Sequence, residues 1–401
     1  MMEMAKLIDI TGKALSGEWG TNDEFGNGIP VLRTTNFTNE GVVNYNDVIT
    51  RTIRKKNIGN KFLRKGDIII EKSGGSDKFP VGRVIYFEGE ENKYLFNNFT
   101  GLLRVKDQEI WHPRYVFYSL FANYKRGGTR AFENKTTGLH NLKTDDYVSR
   151  YEVVKTDFSE QVSICEKLDK LYGVIKSREQ ELQLLDNLIK ARFVEMFGDT
   201  LTNPLGWKEH RLDEYIDFLT SGSRGWAQYF VDEENELFIT IKNVKNNHII
   251  LENIQYINAP NNKEAERTKV KTGDLLISIT ADLGRTGVVD EDIAERGAYI
   301  NQHLSLVRLN QSKIRPLYVS HFLETEGGKM QFESKNQNGV KAGLNFDAIK
   351  SLKILVPPLE MQLSYLKFVH QVDKSKVVGM TIKLIFKVRL NTYYEGYWSV
   401  I

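Results

Sequence analysis

Asp67, Glu71 and Lys72 are the side chains whose types and spacing come closest to a catalytic set. Two carboxylates and a lysine could serve a nuclease, in which bound metal ions activate a phosphodiester. A later segment of the chain repeats the aspartate as Asp274 but has serine and isoleucine in place of the glutamate and lysine. Because the set is not repeated, we predict turn and strand roles for Asp67 instead of catalysis.

Motifs for nucleotide and metal chemistry are missing from the sequence. It contains no GxxxxGK[ST] phosphate loop, and residues 203–206 (NPLG) resemble only superficially the NPP[YF] motif of adenine methylation. The seven histidines lack a metal-binding spacing such as HExxH. The single cysteine, Cys165, can form neither an internal disulfide nor a thiolate metal site. The sequence therefore predicts no catalytic residue, no metal and no cofactor.

Length and composition favour a soluble protein of two domains. The chain has 401 residues, 41% of them hydrophobic and 27% charged, and a chain of this length suits two cores plus connecting elements. No apolar run is long enough to cross a membrane and no signal peptide is visible, so we expect a cytoplasmic location. The net charge of +3 is mild. Residues 51–65 contain seven bases and no acid, which suits either phosphate contacts or a solvated surface.

The most informative feature is an internal repeat. KGDIII at residues 65–70 returns as TGDLLI at 272–277, and HPRYVFYSL at 112–120 returns as RPLYVSHFL at 315–323. Further matches follow in the same order along the chain. Ordered self-similarity of this kind indicates two copies of one structural unit.

Each copy has the pattern of an α+β domain. Short β-branched runs at residues 67–71, 83–87 and 102–105 are separated by Gly and Asn, which is typical of strands in mixed or antiparallel sheets. Helices are predicted at residues 113–124 and 316–326, where a proline can occupy the first turn.

A heptad pattern between the copies predicts a long helix at residues 159–197. Its apolar seam needs a partner, and the segment from Pro357 after the second copy begins in the same way. Two such helices packed as an antiparallel coiled coil would separate the two domains. Residues 377–401 are rich in β-branched and aromatic side chains, however, so we expect the second helix to be incomplete there.

The order of these pieces resembles the specificity subunit of type I restriction-modification enzymes. The resemblance rests on VPPLEMQ (residues 356–362), the repeated GD-plus-apolar strand, NPLGWKEHRLDE (203–214) and MFGD (196–199). It implies two target-recognition domains, at residues 1–158 and 199–356. It also implies a central spacer helix at 159–198, and a C-terminal spacer helix with a divergent tail at 357–401.

The resemblance implies that the chain is not an enzyme. Each domain would recognise one half of a bipartite target in double-stranded DNA, with the helices setting the distance between the halves. Adenine methyltransferase (M) subunits, two in number, would dock on the helices, and restriction and translocation (R) subunits would join through the complex. A protein-protein scaffold, an orphan or inactive specificity protein, and an enzyme of unrecognised type remain alternatives.

Two loops in each copy are candidates for DNA contact. Residues 72–78 and their counterpart 280–285 follow a strand, and residues 126–137 correspond to 335–341. Lys and Arg suit phosphates and guanine, whereas Asn and Gln suit adenine; an ordinary hairpin connection is the alternative for the first loop. The predicted DNA-binding residues are Lys72, Ser73, Lys78, Arg83, Arg126, Arg130, Lys135, Thr136, Thr280, Arg285, Lys335, Gln337 and Lys341.

Overall fold

The computed structural model describes residues 3–136, 139–336 and 343–398. The chain divides into two units, each of which combines a β-rich part with portions of two long helices. Unit 1 comprises Met1–Glu179 and Thr381–Ile401, and unit 2 comprises Gln180–Met380.

The β-rich part of unit 1 contains thirteen short strands and three helices among its described residues. The strands are β1 (Met4–Lys6), β2 (Leu15–Ser16), β3 (Thr21–Asn22), β4 (Ile29–Leu32), β5 (Ile49–Thr52), β6 (Ile68–Glu71), β7 (Ser73–Gly74), β8 (Val84–Tyr86), β9 (Leu95–Phe96), β10 (Thr100–Leu103), β11 (Glu133–Thr136), β12 (Leu139–Leu142) and β13 (Glu152–Val154). The helices are α1 (Leu7–Thr11), α2 (Pro113–Lys125) and α3 (Thr144–Arg150).

The described residues of unit 1 form four sheets. The central sheet has the order β2-β10-β6-β8 and is antiparallel throughout. A second sheet, β3-β5-β4-β9, has one parallel pair between β4 and β9. Strands β11, β12 and β7 form a small third sheet, and β1 pairs with β13. All four residues of β6 are buried, namely three isoleucines and Glu71, which pairs with Arg83.

The first long helix, α4 (Phe158–Phe197), follows β13 and leads into unit 2. The strands of unit 2 are β14 (Glu209–Arg211), β15 (Ile216–Ser221), β16 (Phe230–Val231), β17 (Glu236–Ile239), β18 (Val244–Lys245), β19 (His248–Ile249), β20 (Gln255–Ile257), β21 (Leu275–Ser278), β22 (Thr286–Val288), β23 (Ala298–Ile300), β24 (Leu304–Leu309) and β25 (Lys353–Leu355). Its helices are α5 (Lys263–Thr268), α6 (Glu291–Arg296), α7 (Pro316–Leu323), α8 (Glu326–Lys335), α9 (Phe346–Lys350) and the second long helix, α10 (Leu359–Trp398).

Unit 2 repeats the topology of unit 1. Its central sheet has the order β15-β24-β21-β22, its second sheet is β16-β20-β17-β23 with a parallel pair between β17 and β23, and β14 pairs with β25. The β18-β19 hairpin stands where unit 1 has an isolated antiparallel bridge between Phe37 and Val43. Among the residues that the structure describes, a bridge between Thr280 and Gly343 stands where unit 1 has its small third sheet. The prediction of two similar α+β domains is therefore confirmed.

The repeated GD motif builds the same structure in both units. Gly66 and Gly273 have φ values of 90° and 83°, a left-handed conformation that favours glycine. The aspartates that follow accept a hydrogen bond from the backbone of the same turn, at 2.7 Å in both cases. Asp67 also forms a bidentate ion pair with Arg104, and Asp274 forms one with Arg308. Asp67 and its counterpart Asp274 thus hold a turn and a neighbouring strand together, the structural role predicted for Asp67.

Replacing Asp274 by asparagine is expected to destabilise unit 2 by about 3 kcal/mol, the lower end for a broken buried ion pair, because it leaves a charged guanidinium without its partner in a partly desolvated site. The carboxyl group is 1% exposed and its Arg308 partner 27% exposed. Asp213→Asn is the matched control, since Asp213 pairs with Arg211 at the surface and such pairs contribute under about 1 kcal/mol. Urea denaturation followed by circular dichroism checks the difference. Equal losses in the two variants would contradict it.

A buried glutamine fixes the start of each long helix. Gln161 donates to the carbonyls of Ile110 and Thr156 and accepts from the backbone N–H of His112. Gln362 makes the corresponding bonds with the carbonyl of Pro357 and the N–H of Arg315 in unit 2. These shared contacts explain why a glutamine stands near the start of both long helices, in the EQ and EMQ sequences.

The two long helices pack together, and within each unit they run antiparallel. In unit 1 the hydroxyls of Tyr172 and Tyr394 lie 2.6 Å apart, and Lys383 pairs with Glu179. In unit 2 Lys376 pairs with Asp186 at 2.7 Å. Phe193, later in α4, contacts Tyr365, earlier in α10, so the two helices run in opposite directions. The prediction of helices packed in opposite directions is confirmed.

The prediction that residues 377–401 interrupt the second helix is wrong. Helix α10 continues to Trp398 and has 40 residues, the same number as α4. Tyr394 and Trp398 are buried in the core of unit 1, where they take the places that Phe193 and Phe197 take in unit 2. Helix propensities of ordinary residues differ by only about 0.7 kcal/mol, whereas burying a large side chain contributes about 2–3 kcal/mol. Tertiary packing therefore outweighs the unfavourable composition.

In the described part of the chain, no helix combines the length and the apolar character needed to cross a membrane.

Candidate nucleic-acid interface

Three connections meet at one end of the central sheet in unit 2. They are the turn after β15, the turn between β21 and β22, and the turn between β23 and β24. Ser223 donates its N–H to the carbonyl of Ile300, and Ile279 donates to the carbonyl of His303. The backbone at Leu344, which follows the second candidate loop, donates to Ile279. The first predicted loop of this domain therefore lies at this edge, together with Leu344, while residues 337–341 of the second loop lie outside the described residues.

The same meeting point exists in unit 1. Glu18 donates its N–H to the carbonyl of Phe96, Lys72 donates to Phe99, and Leu142 donates to Lys72. Here β7 pairs with β12, which brings the loop after β6 beside the loop before β12. The two candidate loops of the first domain are thus adjacent as well.

Lys72 and Ser73 line a cavity of about 440 Å³ at this edge of unit 1. The ammonium of Lys72 donates to the hydroxyl of Ser16 at 2.8 Å, and burial lowers the pKa of Lys72. Phe99, which also lines the cavity, is 52% exposed. A half-buried amine beside an exposed aromatic ring provides a polar donor and a stacking surface, both of which nucleic-acid sites use.

The other predicted basic residues of unit 1 differ in the hydrogen bonds that they make within the protein. Arg130 donates to the carbonyls of Asp77 and Lys78, so it joins the two candidate loops to each other. Arg83 donates to two carbonyls of the β4–β5 connection and to Glu71. These bonds engage its guanidinium within the protein, so Arg83 holds that connection in place. Burial raises the pKa of that glutamate. Lys78 and Arg126 are exposed.

The candidates in unit 2 are described only in part. Thr280 lies at the meeting point of the loops, and Arg285 is ion-paired with Asp282. Lys335 is the last residue of α8. Gln337 and Lys341 lie outside the described residues, and so do the side chains of Lys135 and Thr136 in unit 1, whose backbone belongs to β11.

The basic segment at residues 51–65 is partly neutralised. Glu18 accepts from Lys55 at 2.8 Å and from Lys61 at 2.5 Å, and hydrogen bonds from these two lysines lower the pKa of Glu18. Arg51 packs its guanidinium 4.4 Å from the centre of the Trp19 ring. The segment thus places an arginine on an aromatic ring near the same sheet edge, and its charge is smaller than the sequence suggests.

The structure adds a polar chain in unit 2 that sequence analysis missed. Arg224 donates to Gln302, the Gln302 amide lies 3.3 Å from Nε2 of His303, and Nδ1 of His303 lies 2.7 Å from the hydroxyl of Thr280. Only Thr280 was among the predicted residues. Arg224 lies between Gly222 and Gly225, a Gly-rich signal that could have marked this turn as a candidate. Gln302 and His303 occupy a turn without glycine, so only the fold brings them beside the candidate loops.

Cys165 is buried against α2, with its sulfur 3.6 Å from Nδ1 of His112. Burial raises the pKa of the Cys165 thiol to about 12. Because the thiolate is the reactive form, we expect native protein at pH 8 to react far more slowly with a disulfide reagent than urea-unfolded protein. The increase in absorbance as the reagent releases its chromophore measures the reaction rate in both states. Comparable rates in the two states would contradict the buried placement.

The sequence matches the family described as "Type I restriction modification DNA specificity domain" over residues 2–187 and 204–383. Among curated proteins, it is 20% identical to the putative type I restriction enzyme MjaX specificity subunit of Methanocaldococcus jannaschii, over 97% of this chain and 94% of that protein. It is 21% identical to the type I restriction enzyme EcoBI specificity subunit of Escherichia coli, over 73% of this chain and 67% of that protein.

Two solved structures share the fold. One is the type I restriction-modification S subunit from M. genitalium, with a TM-score of 0.59, 14% identity and coverage of 98% of this chain and 95% of that one. The other is a chain from "Structural basis underlying complex assembly and conformational transition of the type I R-M system", with a TM-score of 0.54 and 18% identity. It covers 99% of this chain and 97% of that chain.

Proposed function

This chain belongs to the type I restriction-modification specificity subunits, which are non-catalytic, and from this premise we propose that its two domains each recognise one half of a bipartite target in double-stranded DNA. The recognition domains are residues 1–158 and 199–356. They act in the cytoplasm, where the chain's DNA target lies. The chain selects the sequence, and its partners carry out methylation and cleavage.

The observation that supports this proposal most is that both domains have the same backbone arrangement at the loop edge but carry different solvent-accessible side chains there. Both units have the same strand order in the central sheet, and in both the loops at one edge are joined by the same backbone hydrogen bonds. At equivalent positions the side chains differ, as with Phe99 in unit 1 and His303 in unit 2. Base discrimination depends on such side chains. Two domains of this kind suit two different half-sites.

The long helices provide the docking surface for two adenine methyltransferase subunits in this proposal. Helix α4 exposes Leu184 and Leu188 in unit 2, and α10 exposes Leu384, Ile385 and Val388 in unit 1. Leu184 and Leu188 are four positions apart, and Val388 lies four positions from Leu384 and three from Ile385, so each set shares a helix face. Grouped apolar side chains in water favour a protein partner. The restriction subunits would then join through the methyltransferases.

The test is to express the chain with the adenine-methylating subunit of its own system and to map methylated adenines across the host genome. The expected result is one bipartite motif with a fixed non-specific gap, and a complex that binds duplex DNA with strong salt dependence. A contiguous motif would contradict recognition by two separate domains. A complex without methylation, and with salt-independent or absent DNA binding, would favour a protein scaffold instead.

A further inference from the structure

We infer that Arg224 recognises a guanine in the half-site of unit 2, and that Gln302 and His303 hold it in position. This inference rests on the proposed function and names a specificity-determining residue for it. Three observations support it: the place of Arg224 in the repeated frame, the direction of its hydrogen-bond chain, and the donors that remain free on its guanidinium.

The frame around Arg224 is fixed by close backbone packing. A Cβ added to Gly222 would lie 2.1 Å from the carbonyl oxygen of Asn301, and one added to Gly17 would lie 2.1 Å from that of Asn97. Such a distance excludes any side chain at these glycines. Both units therefore bring the two turns into backbone contact, and Trp19 in unit 1 occupies the position of Arg224 in unit 2.

The exposed and partly exposed side chains on this frame differ between the units. Unit 1 has Trp19, Asn98 and Phe99 where unit 2 has Arg224, Gln302 and His303. Each unit preserves the contacts that shape the loops and changes the side chains that point away from them. Unit 1 thus lacks the arginine-glutamine-histidine chain, and we expect its half-site to be recognised by other contacts.

The hydrogen-bond chain in unit 2 has one consistent direction. A guanidinium can only donate, so Arg224 Nε donates to Gln302 Oε1, and the Gln302 amide nitrogen then faces His303 Nε2 as a donor. Nε2 of His303 must therefore accept, which places the ring proton on Nδ1, and Nδ1 donates to the hydroxyl of Thr280. Turning the Gln302 amide over would set two donors against each other. The chain accordingly fixes the orientation of the guanidinium.

The remaining donors of Arg224 suit guanine. Arg224 is exposed, and within the described residues its Nη1 and Nη2 atoms make no hydrogen bond. With Nε already engaged, these two atoms form a fork that matches the O6 and N7 acceptors of guanine in the major groove. A lysine at this position would keep the charge but lose the fork.

The experiment uses the complete complex with its methylating partner and a panel of duplexes in which each base pair of the mapped target is replaced in turn. For Arg224→Ala, we expect a ten- to hundred-fold loss of discrimination at one G·C pair, all in one half-site, which corresponds to about 1.4–2.8 kcal/mol at about 1.4 kcal/mol per factor of ten. Arg224→Lys should lose the same discrimination yet keep the wild-type salt dependence. Arg211→Ala, which removes another exposed arginine of unit 2, should leave every preference unchanged.

Gln302→Ala tests the positioning role. It should relax the preference at the same G·C pair, and the double variant Arg224→Ala/Gln302→Ala should be no worse than Arg224→Ala alone, because Gln302 acts through the arginine. Additive losses would overturn that role.

Uniform weakening across all duplexes with a smaller salt slope would identify Arg224 as a phosphate contact and overturn the inference. Unchanged discrimination in a wild-type-like bipartite complex would also overturn it. If the wild-type complex has no bipartite target, the proposed function fails first, and that outcome is visible before any variant is made.

Discussion

Replacing residues 1–158 by the corresponding domain of another specificity subunit is expected to change one half of the methylated motif and to leave the other half intact. The physical reason is that base discrimination comes from loops that belong to one domain. In unit 1 these loops are joined to each other by β7, β12 and the Arg130 contacts. The replaced half-site should lose about 10³-fold or more in relative affinity, the range that separates specific from non-specific sites.

The graft has to preserve the core beneath those loops. The ring centre of Tyr115 in α2 lies 5.6 Å from that of Trp398, and the ring centre of Tyr118 lies 6.5 Å from that of Tyr394. A donor domain with different side chains at these positions would therefore create a cavity or a clash. A second graft that also transfers residues 381–398 is the matched control. Methylated-adenine mapping checks both. A change in both halves of the motif, or in neither, would contradict the assignment of one half-site to each domain.

Trp398→Ala is expected to destabilise unit 1 by about 3–5 kcal/mol, the usual cost of removing a fully buried large aromatic side chain. Trp398 is 0% exposed and belongs to the same hydrophobic cluster as Tyr115 and Tyr394. Thermal unfolding and limited proteolysis of the full chain measure the loss. Val388→Ala on the same helix, at a position 56% exposed, should cost under about 0.5 kcal/mol.

Phe197→Ala supplies the counterpart in unit 2, because Phe197 packs on Tyr318 and Tyr365 as Trp398 packs in unit 1. Its loss should be of similar size but should appear in proteolysis of unit 2. A Trp398→Ala protein as stable as the Val388→Ala control would mean that the end of α10 is not part of the core.

The repeat and its central strands were predictable because they depend on local patterns. The GD motif needs a glycine with positive φ and an aspartate that caps its own turn, and both requirements appear directly in the sequence around Gly66 and Gly273. The heptad seam of α4 likewise predicted the buried positions Ile164, Leu168 and Leu171. Local geometry and side-chain periodicity suffice for these elements.

The end of α10 and the Arg224 chain were not predictable in the same way. The helix is stabilised by side chains distant in sequence, such as Tyr115 against Trp398, so local propensity gave the wrong answer. Arg224 and Thr280 are 56 positions apart, and only the sheet brings their turns together. Among the predicted DNA-binding residues, Arg83 and Arg130 proved to have hydrogen-bond partners within the protein, which sequence cannot reveal.

In the proposed function, two domains contribute separately to recognition of one DNA target. This can be tested by equilibrium binding of the assembled complex to four duplexes: one with both mapped half-sites, two with a single half-site scrambled, and one with both scrambled. We expect each scrambled half to weaken binding and the double change to weaken it further, at every salt concentration. Wild-type affinity after scrambling either half would contradict it.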